Sequence, residues 1–379
     1  MSIHSAKRTL RAAIAAAAMS CAGVAPELGQ SKAAALAPLP DSARLASTLD
    51  SIRTAIGATG ASAAIIFPGG QTWVGVSGEA WSGTPVTPAT VFDAGSITKS
   101  YTAALVLRLV HEGVLALDDS LTRWFPELPG GEGVTIQELL RQTSGLADYA
   151  RHPRFLPEIR SKMAAPWLPE ENLRFIGDPG FASGARWEYS NTNYLLLGLI
   201  SARAANRPYS QLLREFVLDS LRLTRTFVAG EDSVPQPRAH AFVDFTGDGK
   251  PDDLSALVPD PAVTRGAGGA GAVVATAADV ATFARAYYEG APAELELAGT
   301  TWIERGDGWQ YGFGVIAAPH EGDILLGHLG NTAGQSAGVW HARAAGVTVA
   351  ILSNVHGVRM AEPVQALLRQ ALVSVRTGG

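Results

Sequence analysis

The chain has 379 residues, 47% of them hydrophobic and only 17% charged, enough apolar material for a large core and a composition that excludes intrinsic disorder. A net charge of -5 with no basic block argues against a nucleic-acid partner. Apolar runs within the body, such as Leu195–Ile200 and Val347–Leu352, are too short to span a bilayer.

The first forty residues read as a signal peptide and linker. Lys7, Arg8 and Arg11 precede the apolar Ala12–Ala18, and small residues continue to Ala25, the order of a secretory signal. A secreted or periplasmic chain is the expectation, and an Ala-rich leading helix is the alternative. Cleavage is expected after Ala25 or near Ala33–Ala35. Cys21, the sole cysteine, follows Ala18-Met19-Ser20, a string similar to a lipoprotein processing site but lacking the usual Leu. It is the candidate lipid anchor. The body has no cysteine, hence no disulfide framework and no zinc–thiolate site.

Ala43–Ile56 then reads as a helix. Ala61–Phe67 and Gln71–Ser77 read as strands joined by a Pro-Gly-Gly turn. From Ser96 onward helical spacing dominates: Ser96–Gly113, Thr135–Gln142, Asn191–Ala204 and Tyr209–Asp219, with a long loop over Ala147–Pro169. Val273–Glu289 is expected as one more helix, with Thr276 and Asp279 placed for a cap. Strands follow at Tyr311–Ala317, Asp323–Leu326, Ala337–Ala342 and Gly346–Asn354, and a helix at Glu362–Val373 closes the chain. The fold class is therefore α/β of the α+β type, an antiparallel sheet flanked by helices with a mainly helical inserted domain. The boundaries expected are 41–80 plus 240–379 for the sheet domain and 81–239 for the helical one.

Ser96 and Lys99 stand three apart at the start of an apolar helix, so both side chains leave the same face of its first turn. A serine hydroxyl needs an adjacent base, and a lysine serves if burial lowers its pKa. The alternative is a helix cap followed by a solvated charge. Tyr189 and Asn191 sit at a second loop-to-helix junction. A phenol relays a proton if a nearby Lys⁺ lowers its pKa, and an amide binds a substrate amide; a packed Tyr and a capping Asn are the alternative. His328 and Gly330, with Asn331 after them, follow the Asp323–Leu326 strand. They pair a cationic or hydrogen-bonding side chain with a glycine that allows close backbone approach, which suits an edge strand along which a substrate lies.

Ser-x-x-Lys, Tyr-x-Asn and His-x-Gly, in that order, resemble the motif set of the penicillin-recognising serine hydrolases. The chain is most similar to their class C β-lactamase branch, with its D-alanyl-D-alanine carboxypeptidases, D-aminopeptidases and carboxylesterases. Phe92–Lys99, Glu112–Phe125, Val134–Leu146, Tyr311-Gly-Phe-Gly and Gly327–Gly334 carry the likeness, which extends from Leu45 to Leu372. The resemblance implies a β-lactamase/transpeptidase-like fold and an acyl-enzyme on Ser96. Lys99 and Tyr189 would be its proton-transfer residues, with the first base left open between them. It implies substrate contacts from Asn191, His328 and Gly330, and an oxyanion hole from the amides of Ser96 and Asn331. Neither metal nor cofactor is implied. The expected substrate is a small molecule or peptide, with a peptidoglycan stem peptide as one possibility and carboxypeptidase activity placed before esterase activity; a catalytically idle relative is the remaining alternative. Many β-lactamases carry Lys where His328 stands, and a histidine attracts a substrate carboxylate more weakly.

Three other strings imitate known motifs without their context. Gly334-Gln-Ser336-Ala-Gly338 imitates a nucleophile elbow but precedes strand-like residues. Arg376-Thr377-Gly378 imitates a Lys-Thr-Gly motif at the extreme C-terminus. Asp244-Phe-Thr-Gly-Asp-Gly imitates a calcium loop but lacks two of its acids and reads as a polar turn.

Overall fold

A computed structural model describes residues 42–244, 247–258, 261–289 and 302–377. The leader with its cleavage sites, Cys21 and Gly378 lie outside the described residues. The chain enters on α1 (Ser42–Ala55), a hairpin of β1 (Gly60–Ile66) and β2 (Thr72–Trp81), and a short β3 (Thr84–Pro85). β4 (Phe92–Asp93) leads through a 3-10 turn at Gly95–Ile97 into α2 (Thr98–His111). Next come α3 (Ile136–Arg141), α4 (Phe155–Ser161), α5 (Asn191–Ala205) and α6 (Tyr209–Leu213), which widens into a π-helical segment at Arg214–Leu218. β5 (Thr226–Val228), β6 (Phe242–Val243), β7 (Asp252–Asp253), α7 (Leu254–Leu257) and α8 (Ala262–Arg265) precede a 3-10 turn at Gly268–Ala270. After β8 (Val273–Ala275) and α9 (Ala277–Glu289) come β9 (Ile303–Glu304), β10 (Gln310–Gly312) and β11 (Val315–His320). β12 (Asp323–Asn331), β13 (Ser336–Ala342), β14 (Val347–Ser353) and α10 (Ala361–Thr377) complete the fold.

Nine strands form one antiparallel sheet in the order β3-β2-β1-β14-β13-β12-β11-β10-β9. β1 pairs with β2 on one side and with β14 on the other. α1 and α10 pack together on this sheet, and α9 packs across β1, β14 and β13. With helices over the sheet, every residue of β1, β13 and β14 is buried, so these strands, His341 apart, read as continuous small or apolar runs without alternation. β2, nearer the edge, keeps a partial alternation.

A second sheet, β4-β8-β5, holds the entry to Ser96. Ala94 N donates to Val273 O (2.8 Å) and Val273 N donates to Thr98 Oγ1 (3.0 Å), fastening both ends of the Ser96 turn to β8. The expected helix at Val273 therefore begins four residues later, because the two valines pair with β4 and β5 instead. Thr276 does cap it, accepting from Asp279 N (3.2 Å), but the Asp279 carboxylate bonds Arg225 N and Thr226 Oγ1 rather than closing a capping box.

Four further expectations are corrected, the first two by long-range pairing. Tyr311–Ala317 is a hairpin, not one strand: Gly312 pairs with Val315 around Phe313-Gly314. Gly314 has φ +71, and a Cβ there would lie 2.7 Å from Lys99 O, so the hairpin seats directly on α2. β12 runs on to Asn331, drawn out by pairing with β13, so His328 lies within the strand. Ala147–Pro169 contains α4 as well as loop, and Tyr209–Asp219 leaves α-geometry after Leu213.

The imitating strings behave as expected, with one adjustment. Asp244 accepts from Gly247 N and Gly249 N, as in a polar turn; Phe245 and Thr246 are outside the described residues. Arg376 and Thr377 belong to the last turn of α10 rather than lying beyond it. Among the described residues, no helix is long and apolar enough to cross a membrane and no group of acids and histidines could hold a metal ion.

Candidate active site

Ser96 stands in the 3-10 turn rather than at the first residue of an α-helix, and Lys99 follows one turn later in α2. The reading of this pair as a cap and a solvated charge is excluded. No side chain caps the turn at Ala94, and Lys99 is fully buried. Lys99 Nζ lies 3.0 Å from Ser96 Oγ, 2.9 Å from Asn191 Oδ1 and 2.7 Å from Ala270 O. Burial brings its pKa from 10.5 down to about 7, against the opposing pull of the Asp148 charge.

The three neighbours of Lys99 also define its protonation geometry. Asn191 Oδ1 and Ala270 O can only accept, so they take both hydrogens of a neutral amine. The remaining lone pair then faces Ser96 Oγ, the one neighbour with a proton to give. This is the arrangement a general base requires.

Tyr189 OH lies 2.9 Å from Ser96 Oγ and Lys99 Nζ sits 4.9 Å from the Tyr189 ring centre. The sequence reading has Lys⁺ lowering the phenol's pKa. The structure shows the reverse: burial, with Tyr311 adding to it, holds Tyr189 well above its ordinary value. The phenol is thus a proton donor, and of the two residues Lys99 is the one whose free-base form is populated near neutrality.

The Tyr189 loop is held by the Gln142–Leu146 stretch. Gln142 adopts φ +64; its carbonyl accepts from Glu188 N (3.0 Å) and its side chain from Ser190 N (3.0 Å). Asn191 opens α5 with its amide committed on both sides, since Oδ1 faces Lys99 while Nδ2 donates to Asp148 Oδ1 and Oδ2 (3.3 and 3.1 Å).

Gly330 and Asn331 reach the site through backbone contact. A Cβ on Gly330 would lie 2.0 Å from Ala94 O and 3.1 Å from Ser96 N. Gly95 has φ +53, and its Cβ would lie 2.8 Å from Asn331 N. The two glycines therefore let β12 touch the Ser96 turn, bringing the Ser96 and Asn331 amides to one place. Beyond the last β11 pair, Ile316 with Gly327, residues 328–331 have no β11 partner, so this stretch of β12 presents a free edge beside Ser96.

His328 departs from its expected role. It is 2% exposed, Nδ1 lies 2.8 Å from Leu329 O and Nε2 3.3 Å from Tyr311 OH. Leu329 O can only accept, so Nδ1 carries the hydrogen and Nε2 receives the phenol. Burial first, then the Lys99 charge, brings its pKa from 6.5 to about 3. His328 is a neutral core residue bridging strands, not a cation facing substrate. Ser336 is likewise occupied within the fold. Its Oγ lies 2.8 Å from Asn331 Oδ1 and 2.7 Å from Val355 O and accepts from Val358 N, with no helix following it.

Ser96, Asn191 and Asn331 line a cleft of about 160 Å³ walled by Tyr149, Phe155 and Val263. A larger cavity of about 500 Å³, bounded by Leu195, Leu199 and Tyr209, lies against Gly268–Gly269 and contains none of the Ser96 constellation, so of the two only the smaller cleft adjoins Ser96. Two members of the site escape a reading of the sequence. Asp148 lies on a loop with no spacing rule linking it to residue 191, and Ala270 contributes only a carbonyl.

Residues 45–372 match the family model described as Beta-lactamase. The chain is 31% identical over 335 residues to esterase EstB of Burkholderia gladioli, covering 77% of this chain and 84% of that protein. It is 28% identical over 266 residues to a penicillin-binding protein of Bacillus subtilis (strain 168), covering 66% of this chain and 58% of the relative's length. Among solved structures, a D-stereospecific amidohydrolase from Streptomyces sp. aligns with a TM-score of 0.75 at 28% identity, over 88% of this chain and 98% of that one. With nearly all of the described residues inside the matched span, the chain belongs to the beta-lactamase family.

Proposed function

We propose that this protein is a serine hydrolase that acylates Ser96 and cleaves small amides and esters without a carboxylate, with D-amino-acid amides as the leading substrate class. The observation that carries the chemistry is the buried Lys99 amine, with two acceptors on its hydrogens and Ser96 Oγ 3.0 Å from its nitrogen. Lys99 takes the Ser96 proton as Oγ attacks the carbonyl. The oxyanion forms against the amides of Ser96 and Asn331. Tyr189 OH passes a proton to the departing amine or alkoxide and is reprotonated through Lys99. Water then hydrolyses the ester on Ser96 and regenerates the hydroxyl.

The preference for substrates without a carboxylate rests on the cleft. No arginine or histidine is among its lining residues, and His328 is neutral, so a substrate carboxylate finds little to pair with. This supports ranking amidase and esterase activity before D-alanyl-D-alanine carboxypeptidase activity, in keeping with the solved amidohydrolase and the esterase among the similar proteins. The carboxypeptidase reading keeps one favourable feature, the Arg305 guanidinium stacked on Trp187, two residues before Tyr189.

The test is intact-mass analysis with p-nitrophenyl acetate, D-phenylalaninamide and a diacyl-Lys-D-Ala-D-Ala peptide. Turnover of the first two, lost in Ser96→Ala, is the expected result. Turnover of the peptide alone would install the carboxypeptidase reading, and full activity in Ser96→Ala would remove the assignment altogether.

A further inference from the structure

We infer that Asp148 is a positioning residue for the Lys99 base: it fixes the Asn191 amide with its oxygen on Lys99, and its charge supports the ammonium that forms when Ser96 is deprotonated. This rests on the Ser96–Lys99 reading above. Asp148 is nearly buried, its side chain 6% exposed. The polar contacts it makes are to donors: Asn191 Nδ2 at 3.1 and 3.3 Å, the Asn191 backbone N–H, Ala150 N at 3.0 Å, and Arg151 Nε at 3.9 Å. Such a carboxylate can only accept, so it determines which way Asn191 points. A flipped amide would set its oxygen against the carboxylate and its NH₂ against the amine, leaving two like pairs face to face.

The charges around this link are few. Lys99 is faced by Asp148, by the Tyr189 and Tyr194 rings and by the neutral His328. Asp148 is faced by Lys99, Arg151 and Tyr149, and it shares a neighbouring cleft with His152, Asp178 and Glu188. Burial raises the Asp148 carboxyl, while Ala150 N–H, Lys99 and Arg151 oppose that rise. For Lys99 in turn, the Asp148 charge opposes the effect of burial. The coupling is thus reciprocal, transmitted across a single oriented amide.

Asp148 has a second duty as the cap of the 3-10 turn Tyr149–Arg151. Asparagine caps as well as aspartate, so Asp148→Asn preserves the turn and removes the charge and the acceptor-only constraint. The experiment is the pH–rate profile of kcat and kcat/KM with p-nitrophenyl acetate, alongside thermal melting. Without the negative charge Lys99 loses its proton more readily, so the acid limb of D148N should move to lower pH by about one unit. Its plateau kcat should fall on the order of tenfold, because Asn191 no longer has an enforced orientation. In an Asn191→Ala background the same change should cost less than about twofold in plateau kcat, since the link it acts through is gone.

An acid limb that stays in place or moves up, or plateau losses that simply add, would overturn the inference. Should D148N fail to fold, Asp148→Ser, which also caps a turn and carries no charge, takes its place and must show the same downward limb shift. Loss of activity in Ser96→Ala separates the two levels. If that variant is dead and the D148N limb is unmoved, only the role of Asp148 falls.

Discussion

Gly330→Ala isolates the contact on which the site's geometry depends. The new methyl would start 2.0 Å from Ala94 O and 3.1 Å from Ser96 N. A relaxed carbon–oxygen contact needs about 3.3 Å or more, so β12 and the Ser96 turn must separate by roughly 1 Å. Neither side can yield by rotating a side chain, because both surfaces are backbone. The turn is fastened to β8 through Ala94 N and Thr98 Oγ1, and β12 is fastened to β13 through Asn331. Overpacking of this kind costs about 1–3 kcal/mol in stability. The catalytic effect should be larger, because a displacement near 1 Å between the Ser96 and Asn331 amides costs on the order of 100-fold in rate. The assay is kcat/KM for p-nitrophenyl acetate together with a urea melt, with Gly177→Ala as control, since that position has open space and an ordinary φ. A Gly330→Ala enzyme within threefold of wild type would refute the idea that these two backbones must touch.

Three other outcomes follow from the same geometry. Lys99, at about 7, must be neutral to act, so kcat/KM should rise through about pH 7 with a single proton lost, and Tyr189 should add no limb below pH 10; stopped-assay profiles from pH 5 to 9 check this. Ser336→Ala should lower stability by ~1–2 kcal/mol through loss of its bonds yet keep the activity, whereas abolition of turnover would revive Ser336 as the nucleophile. His328 has a folded pKa of about 3 against 6.5 when unfolded, so the unfolded chain binds the extra proton first. Its contribution is therefore complete above about pH 6.5 and is lost as pH falls towards 3, by up to ~5 kcal/mol; denaturant midpoints across that window should fall, and more gently in His328→Gln.

Much of this was legible because each motif is a local string. Ser96–Lys99 and Tyr189–Asn191 announce themselves within three residues, and α1, α2, α5 and α10 follow their apolar spacing to within a few residues at the boundaries. What resisted reading depends on partners far along the chain. Val273 and Val274 extend an apolar run that suits a helix, and only pairing with β4 and β5 makes them a strand. His328 among Leu and Gly reads as a polar group at a strand end until β13 is known to carry β12 past it. Asp148 lies 43 positions from Asn191, and nothing in either sequence neighbourhood announces the other. The direction of the Tyr189 shift was also out of reach, because it turns on burial, which composition does not report.

The placement of β1 between β2 and β14 has a consequence for how the molecule is made. Ala61 pairs with Ser353 and Ile66 with Thr348, so the interior of the main sheet joins the first and the last of the described strands to be synthesised. At typical elongation rates of about 5–20 residues per second, β1 waits roughly 15–60 s for its second neighbour. Throughout that interval its Gly-Ala-Ser-Ala-Ala-Ile-Ile run has an open hydrogen-bonding edge and no charge to keep other strands away. The nascent chain is thus most vulnerable to misassociation at a strand that is wholly hidden once β14 arrives, and a chaperone that grips extended apolar segments would find its natural target there.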